Sequence, residues 1–216
     1  MLLRELQVLL RQIYGLEIDV DVADYLVTDP RQLKYLLGEG AETVEETLLL
    51  VEDDESLEVA LYLDETMLAR LTESKPCSAL SEHNLDDFCK VLEGVSHFLY
   101  VAWNAGRDKQ FTRLELEIQA EIDKYVSSRL ILEAQQSGGS SLLTSLFENV
   151  RFSQHLSPES LERYRQANDV AGRYCHSLQQ RFPEAGPDMA MLQELRAFYR
   201  MPQPDKLSHI NALQFA

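Results

Sequence analysis

The sequence predicts an α+β fold in which helix predominates, with a small antiparallel hairpin or three-stranded sheet followed by a bundle of about four to six helices. Three observations carry this. Apolar residues recur at spacings of three and four through residues 81–136, two β-favouring runs flank the polar turn Asp53-Asp54-Glu55-Ser56, and Pro or Gly punctuates the remaining segments at helix starts and stops. On this reading residues 1–80 form an acidic α+β part, 81–200 the helical bundle and 201–216 a C-terminal docking tail, together one compact unit.

Leu2, Leu3, Leu6, Leu9, Leu10 and Ile13 make an amphipathic first helix that ends near Gly15. From Leu16 to Val22 apolar and acidic residues alternate strictly, the period of a half-buried strand, although Asp is a poor strand former. Asp29-Pro30 caps and starts a short helix through Leu37. Glu45–Glu52 and Leu57–Asp64 are the arms of the hairpin. In the second arm Leu57, Val59, Leu61 and Leu63 share a face that a helix should cover. Two strands alone are marginal in water, so Leu16–Val22 or a second subunit is expected to supply a third. Asp64 then caps a helix to about Thr72, and Lys75-Pro76-Cys77-Ser78 breaks the chain.

Two long helices follow. Leu85, Phe88, Leu92, Val95, Leu99 and Ala102 form the clearest stripe in the sequence. Phe111, Leu114, Ile118, Ile122, Tyr125 and Leu132 repeat it, while Leu116, Ala120 and Leu130 add a weaker line that implies packing on two sides. Asn104–Asp108 supplies a stop and Thr112 with Glu115 a capping box, so the pair reads as an antiparallel helical hairpin. Gln135–Ser141 is a flexible connection to a short helix at Leu142–Asn149. Ser157-Pro158-Glu159 starts a helix to about Arg181, Met189–Tyr199 is another, and Leu207, Ile210, Leu213 and Phe215 give the C-terminal segment an apolar face that should dock on a helical surface.

The net charge of −16 is uneven. Residues 1–80 hold 6 Lys/Arg against 18 Asp/Glu, a balance of −12, residues 81–136 carry −4, and residues 137–216 are neutral. That field disfavours direct contact with nucleic acid or an anionic membrane; it reads first as a charge that keeps the protein in solution and second as a surface for a basic protein partner. Three cysteines, Cys77, Cys89 and Cys175, form no close pair, so neither a disulfide framework nor a thiolate zinc site is supported and a reducing cytoplasm is expected. No apolar run approaches the roughly 18 residues of a membrane span, and no secretory leader pattern opens the sequence.

The chemistry-bearing candidates lie on the helical hairpin. Glu93 and His97 stand four apart, with Asp86, Tyr100 and Asn104 on roughly the same side and opposite the apolar stripe, so this side reads as solvent-facing. Glu117 and Glu121 are likewise four apart, and antiparallel packing could bring both pairs to one metal ion or proton. Lys124 is placed to pair with Glu121. The set matches neither Glu-x-x-His nor His-Glu-x-x-His, and no stoichiometric transition metal is expected from spacing alone. Glu162, Asp169 and His176 form a polar flank on the later helix. His83, His155 and His209 stand alone. GxGxxG, GxxxxGK[ST] and GxSxG are absent, and Asp19–Asp24 fails as a calcium loop because its sixth position is Asp24 and its closing position Pro30.

The leading expectation is therefore a non-catalytic, cytoplasmic interaction or regulatory protein. It would need no cofactor, would self-associate, and would bind a basic protein partner through Glu17, Asp19, Asp21 and Glu58 and a further surface at Leu207, Ile210, Leu213 and Phe215. The alternative is a metal-dependent enzyme using Glu93, His97, Glu117 and Glu121.

Overall fold

The structure, a computed structural model, describes residues 1–38, 44–52, 57–137, 142–150, 152, 156–183 and 188–213. Its element order is α1 (Leu2–Tyr14), a 3₁₀ turn (Val22–Tyr25), β1 (Leu26–Val27), α2 (Pro30–Leu37), β2 (Glu46–Glu52), β3 (Leu57–Leu63), α3 (Glu65–Ser74), α4 (Pro76–Ala79), α5 (Leu85–Ala105), α6 (Arg113–Ala134), a π turn (Thr144–Glu148), α7 (Pro158–Arg181), α8 (Met189–Arg200) and α9 (Gln203–Leu213). This is an α+β, mainly α fold with a three-stranded mixed sheet. None of the described helices is long and apolar enough to cross a membrane.

Local chemistry sets the boundaries. Gly15 ends α1 in the left-handed region at φ 61°, where a side chain would be strained, and its N–H returns to the Arg11 carbonyl. Asp29, Asp64, Ser157 and Asp188 cap their helices by accepting backbone N–H bonds, and at α6 both halves of the Thr112–Glu115 capping box are made.

The expected hairpin forms, with Leu48 opposite Leu61 and Leu50 opposite Val59. Its turn, residues 53–56, lies outside the described residues. The third strand is not Leu16–Val22. It is β1, two residues long and parallel to β3. The alternation upstream did identify a buried face, since Leu16, Ile18 and Val22 are buried and Glu17 and Asp19 exposed. A side chain from α1 takes the backbone groups a sheet would need: Gln7 Nε2 donates to the Val20 carbonyl at 2.7 Å and Gln7 Oε1 accepts from Val22 N–H at 2.8 Å. Asp21 then caps the 3₁₀ turn by accepting from Ala23 N–H.

α5 is the centre of the molecule. It contacts α1, α3, α6, β2 and β3, and Phe88, Val91, Leu92, Val95 and Val101 have no exposed surface. Each such side chain stabilises the fold by about 1.5–3 kcal/mol before ordering costs. The sheet lies so close that a Cβ on Gly94 would sit 2.7 Å from Leu61 Cδ1 and 3.1 Å from Glu46 Oε1. α6 packs between α5 and α7, as its two apolar lines imply. α9 folds back onto the same chain: Lys206 and Ile210 are buried, and Leu207 and Leu213 pack half-buried against the core. Phe215 lies outside the described residues.

Candidate metal centre

Because helices and strands pack on most of α5, its polar side beyond Asp86, which is exposed, does not face solvent as its sequence suggests. Tyr100 and Asn104 are buried, His97 is only 8% exposed, and Glu93 is half-buried. The physical reason is that the apolar stripe marks only the best-packed face of a helix that has neighbours on several sides.

The antiparallel packing of α5 on α6 brings Glu93, His97 and Glu117 together, with one candidate ligand atom from each lying within 4.8 Å of the others. His97 Nε2 stands 3.5 Å from Glu117 Oε2. On the other edge of the ring, His97 Nδ1 is 4.0 Å from Oε1 of Glu46, which enters from β2. Glu121, the fourth sequence candidate, does not join this group. Lys124 holds it, with Nζ 2.8 Å from Glu121 Oε1 and 2.6 Å from Glu93 Oε2. From α7, Arg163 Nε donates to Glu117 Oε1 at 3.4 Å. All of these side chains are between 10% and 17% exposed.

The electrostatics follow from this crowding. Four carboxylates, Glu46, Glu93, Glu117 and Glu121, meet two fixed cations, Lys124 and Arg163. Burial pushes the Glu46 carboxyl up to about 8, with Glu93 adding and His97 opposing. Burial alone would lower His97, but Glu117, Glu46 and Glu93 outweigh it and push the imidazole up to about 9. Glu93 behaves differently: Lys124 and His97 overcome its burial and hold it below the ordinary range. Glu121 is raised because burial outweighs Lys124. Despite the density of polar groups, Glu46 Oε1 and His97 Nε2 are both buried without a hydrogen-bond partner.

A second buried network lies on the neighbouring face of α6. Asp123 accepts from Ser96 Oγ at 2.6 Å, from Gln119 Nε2 at 2.8 Å and from the Tyr14 hydroxyl. Burial nevertheless pushes its carboxyl up to about 6. Lys206 of α9 reaches in from the C-terminus, its Nζ 3.2 Å from both Tyr100 Oη and Gln119 Oε1 and 4.8 Å and 5.2 Å from the ring centres of Tyr100 and Phe198. The cage is closed to solvent, and burial pushes the ammonium down to about 8.

Sequence reasoning missed Glu46, although the signal was available. In β2 the period of two places Glu46 on the same face as Leu48 and Leu50, an acid on the strand's inward side. Arg163 carries no such signal, because its place depends on how α7 crosses α6. The cysteines are inert in this setting, since burial pushes the Cys77 thiol up to about 11 and that of Cys89 up to about 12. Of the residues expected to meet a partner, Glu17, Asp19 and Glu58 are exposed, whereas Asp21 is tied to Arg4 Nε at 2.6 Å. Glu162, Asp169 and His176 are exposed on α7, a polar flank as their spacing suggests. Compared with protein-family models, with curated proteins and with solved structures, the chain has no match in any of the three.

Proposed function

We propose that this chain is a metal-dependent protein that binds one divalent first-row ion through Glu93, His97 and Glu117. The observation that carries the reading is the convergence of one ligand atom from each of these three residues, on two different helices, within 4.8 Å. Two further features support it. The cluster sets three carboxylates, Glu46, Glu93 and Glu117, around His97, oxygen donors of the kind a divalent ion takes. And His97 Nε2, the nitrogen facing Glu117, is buried without a hydrogen-bond partner while Nδ1 faces Glu46. Metal-bound histidine characteristically directs its second nitrogen at a carboxylate, which fixes the ring and raises its basicity, and Glu46 has that position.

A mixed carboxylate and imidazole set suits Mn²⁺, Fe²⁺ or Zn²⁺. Three protein ligands leave a coordination position for water or substrate, the arrangement of a catalytic rather than a closed structural site. Bound there, the ion would polarise that ligand, while Lys124 and Arg163 hold the carboxylates in place. A carboxylate has two oxygens, so Lys124 on one oxygen of Glu93 leaves the other for the ion.

Calorimetric titration of chelator-treated protein with Mn²⁺ and with Zn²⁺ tests this. One site per chain is expected. Replacing a ligand, as in Glu93→Gln, His97→Gln or Glu117→Gln, should weaken binding by about 100-fold or more, and Glu46→Gln by about 10–100-fold. Glu121→Gln should change it by less than about threefold, because Glu121 stands outside the group. Folded variants that bind like the parent, or a parent that binds no ion, would sink the proposal and leave a structural ion-pair network.

A further inference from the structure

The sheet order β1-β3-β2 leaves one backbone edge of β2 without a strand partner among the described residues. Natural sheets protect such edges with Lys, Pro, a bulge or an inward charge, because unpaired N–H and C=O groups template another strand. β2 has little of this. Thr47-Leu48-Leu49-Leu50-Val51 contains no Pro and no charge, and the inward acid Glu46 is at the beginning of the strand. At the far end the apolar side chains stand in solvent, with Val51 62%, Leu50 40% and Leu57 37% exposed. Leu50 and Val51 point to opposite faces of the sheet, so whatever covers them must contribute side chains to both faces, as a strand does.

Charge says what kind of strand fits. From Tyr35 to Ala69 the sequence has 11 acidic residues and no Lys or Arg; of these Glu45 meets Lys90 Nζ at 2.7 Å and Glu46 turns inward, and the rest of the run is not matched by a base within it. Glu58, opposite Val51 in the register, is exposed. A second copy of this chain is a poor occupant. Each chain brings a net charge of −16, and its acidic run would meet its own copy across such a pair. We infer that the free edge of β2 docks an extended segment of another protein, a run of apolar residues flanked by Lys or Arg, which adds to the sheet as its fourth strand. Backbone hydrogen bonds supply the affinity, side chains on the two faces of the added strand cover Leu50 and Val51, and the basic flanks meet the acidic run. This surface is independent of the metal centre.

Fluorescent peptides and the full chain provide the test, read by anisotropy. The probe has alternating Val and Thr with two Lys at each end. The comparison peptides carry Glu at the ends, or Ser in place of Val, or N-methyl groups on alternate amides. Only the Lys-ended, Val-centred, unmethylated peptide should bind well, each comparison weakening it by roughly tenfold or more, and raised salt should weaken it further. Leu50→Lys with Val51→Lys, both at exposed positions, should lower its affinity by roughly tenfold with an unchanged circular dichroism spectrum. Equal binding of the Ser-centred peptide would reduce the effect to charge alone and overturn the inference, as would equal binding of the N-methylated peptide, which cannot pair with the edge. Sedimentation equilibrium showing a dimer that Val51→Lys disperses would equally overturn it, by assigning the edge to a second copy.

Discussion

Lys206 sits in a cage of Tyr100, Phe198 and Tyr199 rings with no exposed surface. Its folded value of about 8 lies below the ordinary 10.5, so the charged form is destabilised by folding. The sign is that of a depressed group: the stability it contributes is present above about 10.5 and is lost as pH falls toward and through about 8. Lys206→Met keeps the bulk and removes the charge, at the cost of one donor to Gln119. At pH 7 it should raise unfolding stability by about 1 kcal/mol, and the gain over the parent should shrink as pH rises from about 8 to 10.5. Denaturant titrations across that range check both. A loss at pH 7, with no change in the difference at higher pH, would mean that the cage stabilises the ammonium. Charged residues were the least legible in sequence. Lys206, Asp123 and Arg163 carry no sequence signal of burial, because it depends on which helix crosses over them. Glu46 alone could be read, from its phase in a strand.

Gly94 fixes the distance between α5 and the sheet. Gly94→Val would drive a branched side chain against Leu61, which is fully buried and has nowhere to go, and against Glu46. Overpacking of this kind costs about 1–3 kcal/mol, measurable as a lower denaturation midpoint at unchanged slope, and an unchanged midpoint would show that the sheet yields. α9 is the second element whose removal is informative. A chain ending at Arg200 leaves the site of Ile210 uncovered, a loss of about 1.5–3 kcal/mol from that residue alone before the Leu207 and Leu213 contacts. At about 2–4 °C per kcal/mol the melting temperature should fall by several degrees, and an unchanged one would mean that the docked helix adds nothing. Elements were the legible scale. Caps at Asp29, Asp64, Thr112 and Ser157 and the stripe of α5 are local signals, and the helices they imply form. Leu16–Val22 was misread because its period recorded burial against α1, while Gln7, a residue with no pattern of its own, took the hydrogen bonds that define a strand.

At the scale of the whole molecule the acidic charge divides into two kinds. Part of it is exposed, as at Glu17, Asp19 and Glu58. Glu46, from the β2–β3 hairpin, turns inward and joins Glu93, His97 and Glu117 between β2, α5 and α6. The candidate site was half legible: four-residue spacing named both pairs on the helical hairpin, but the phase of α6 against α5 decides that Glu117 and not Glu121 reaches His97. X-ray absorption at the metal edge of the Zn²⁺-loaded protein decides whether His97 and its carboxylates hold the ion. One imidazole nitrogen at about 2.0–2.1 Å is expected together with carboxylate oxygens at about 2.0–2.2 Å, the imidazole scattering disappearing in His97→Gln. An all-oxygen shell like that of the hydrated ion, or an imidazole signal that persists in His97→Gln, would contradict it.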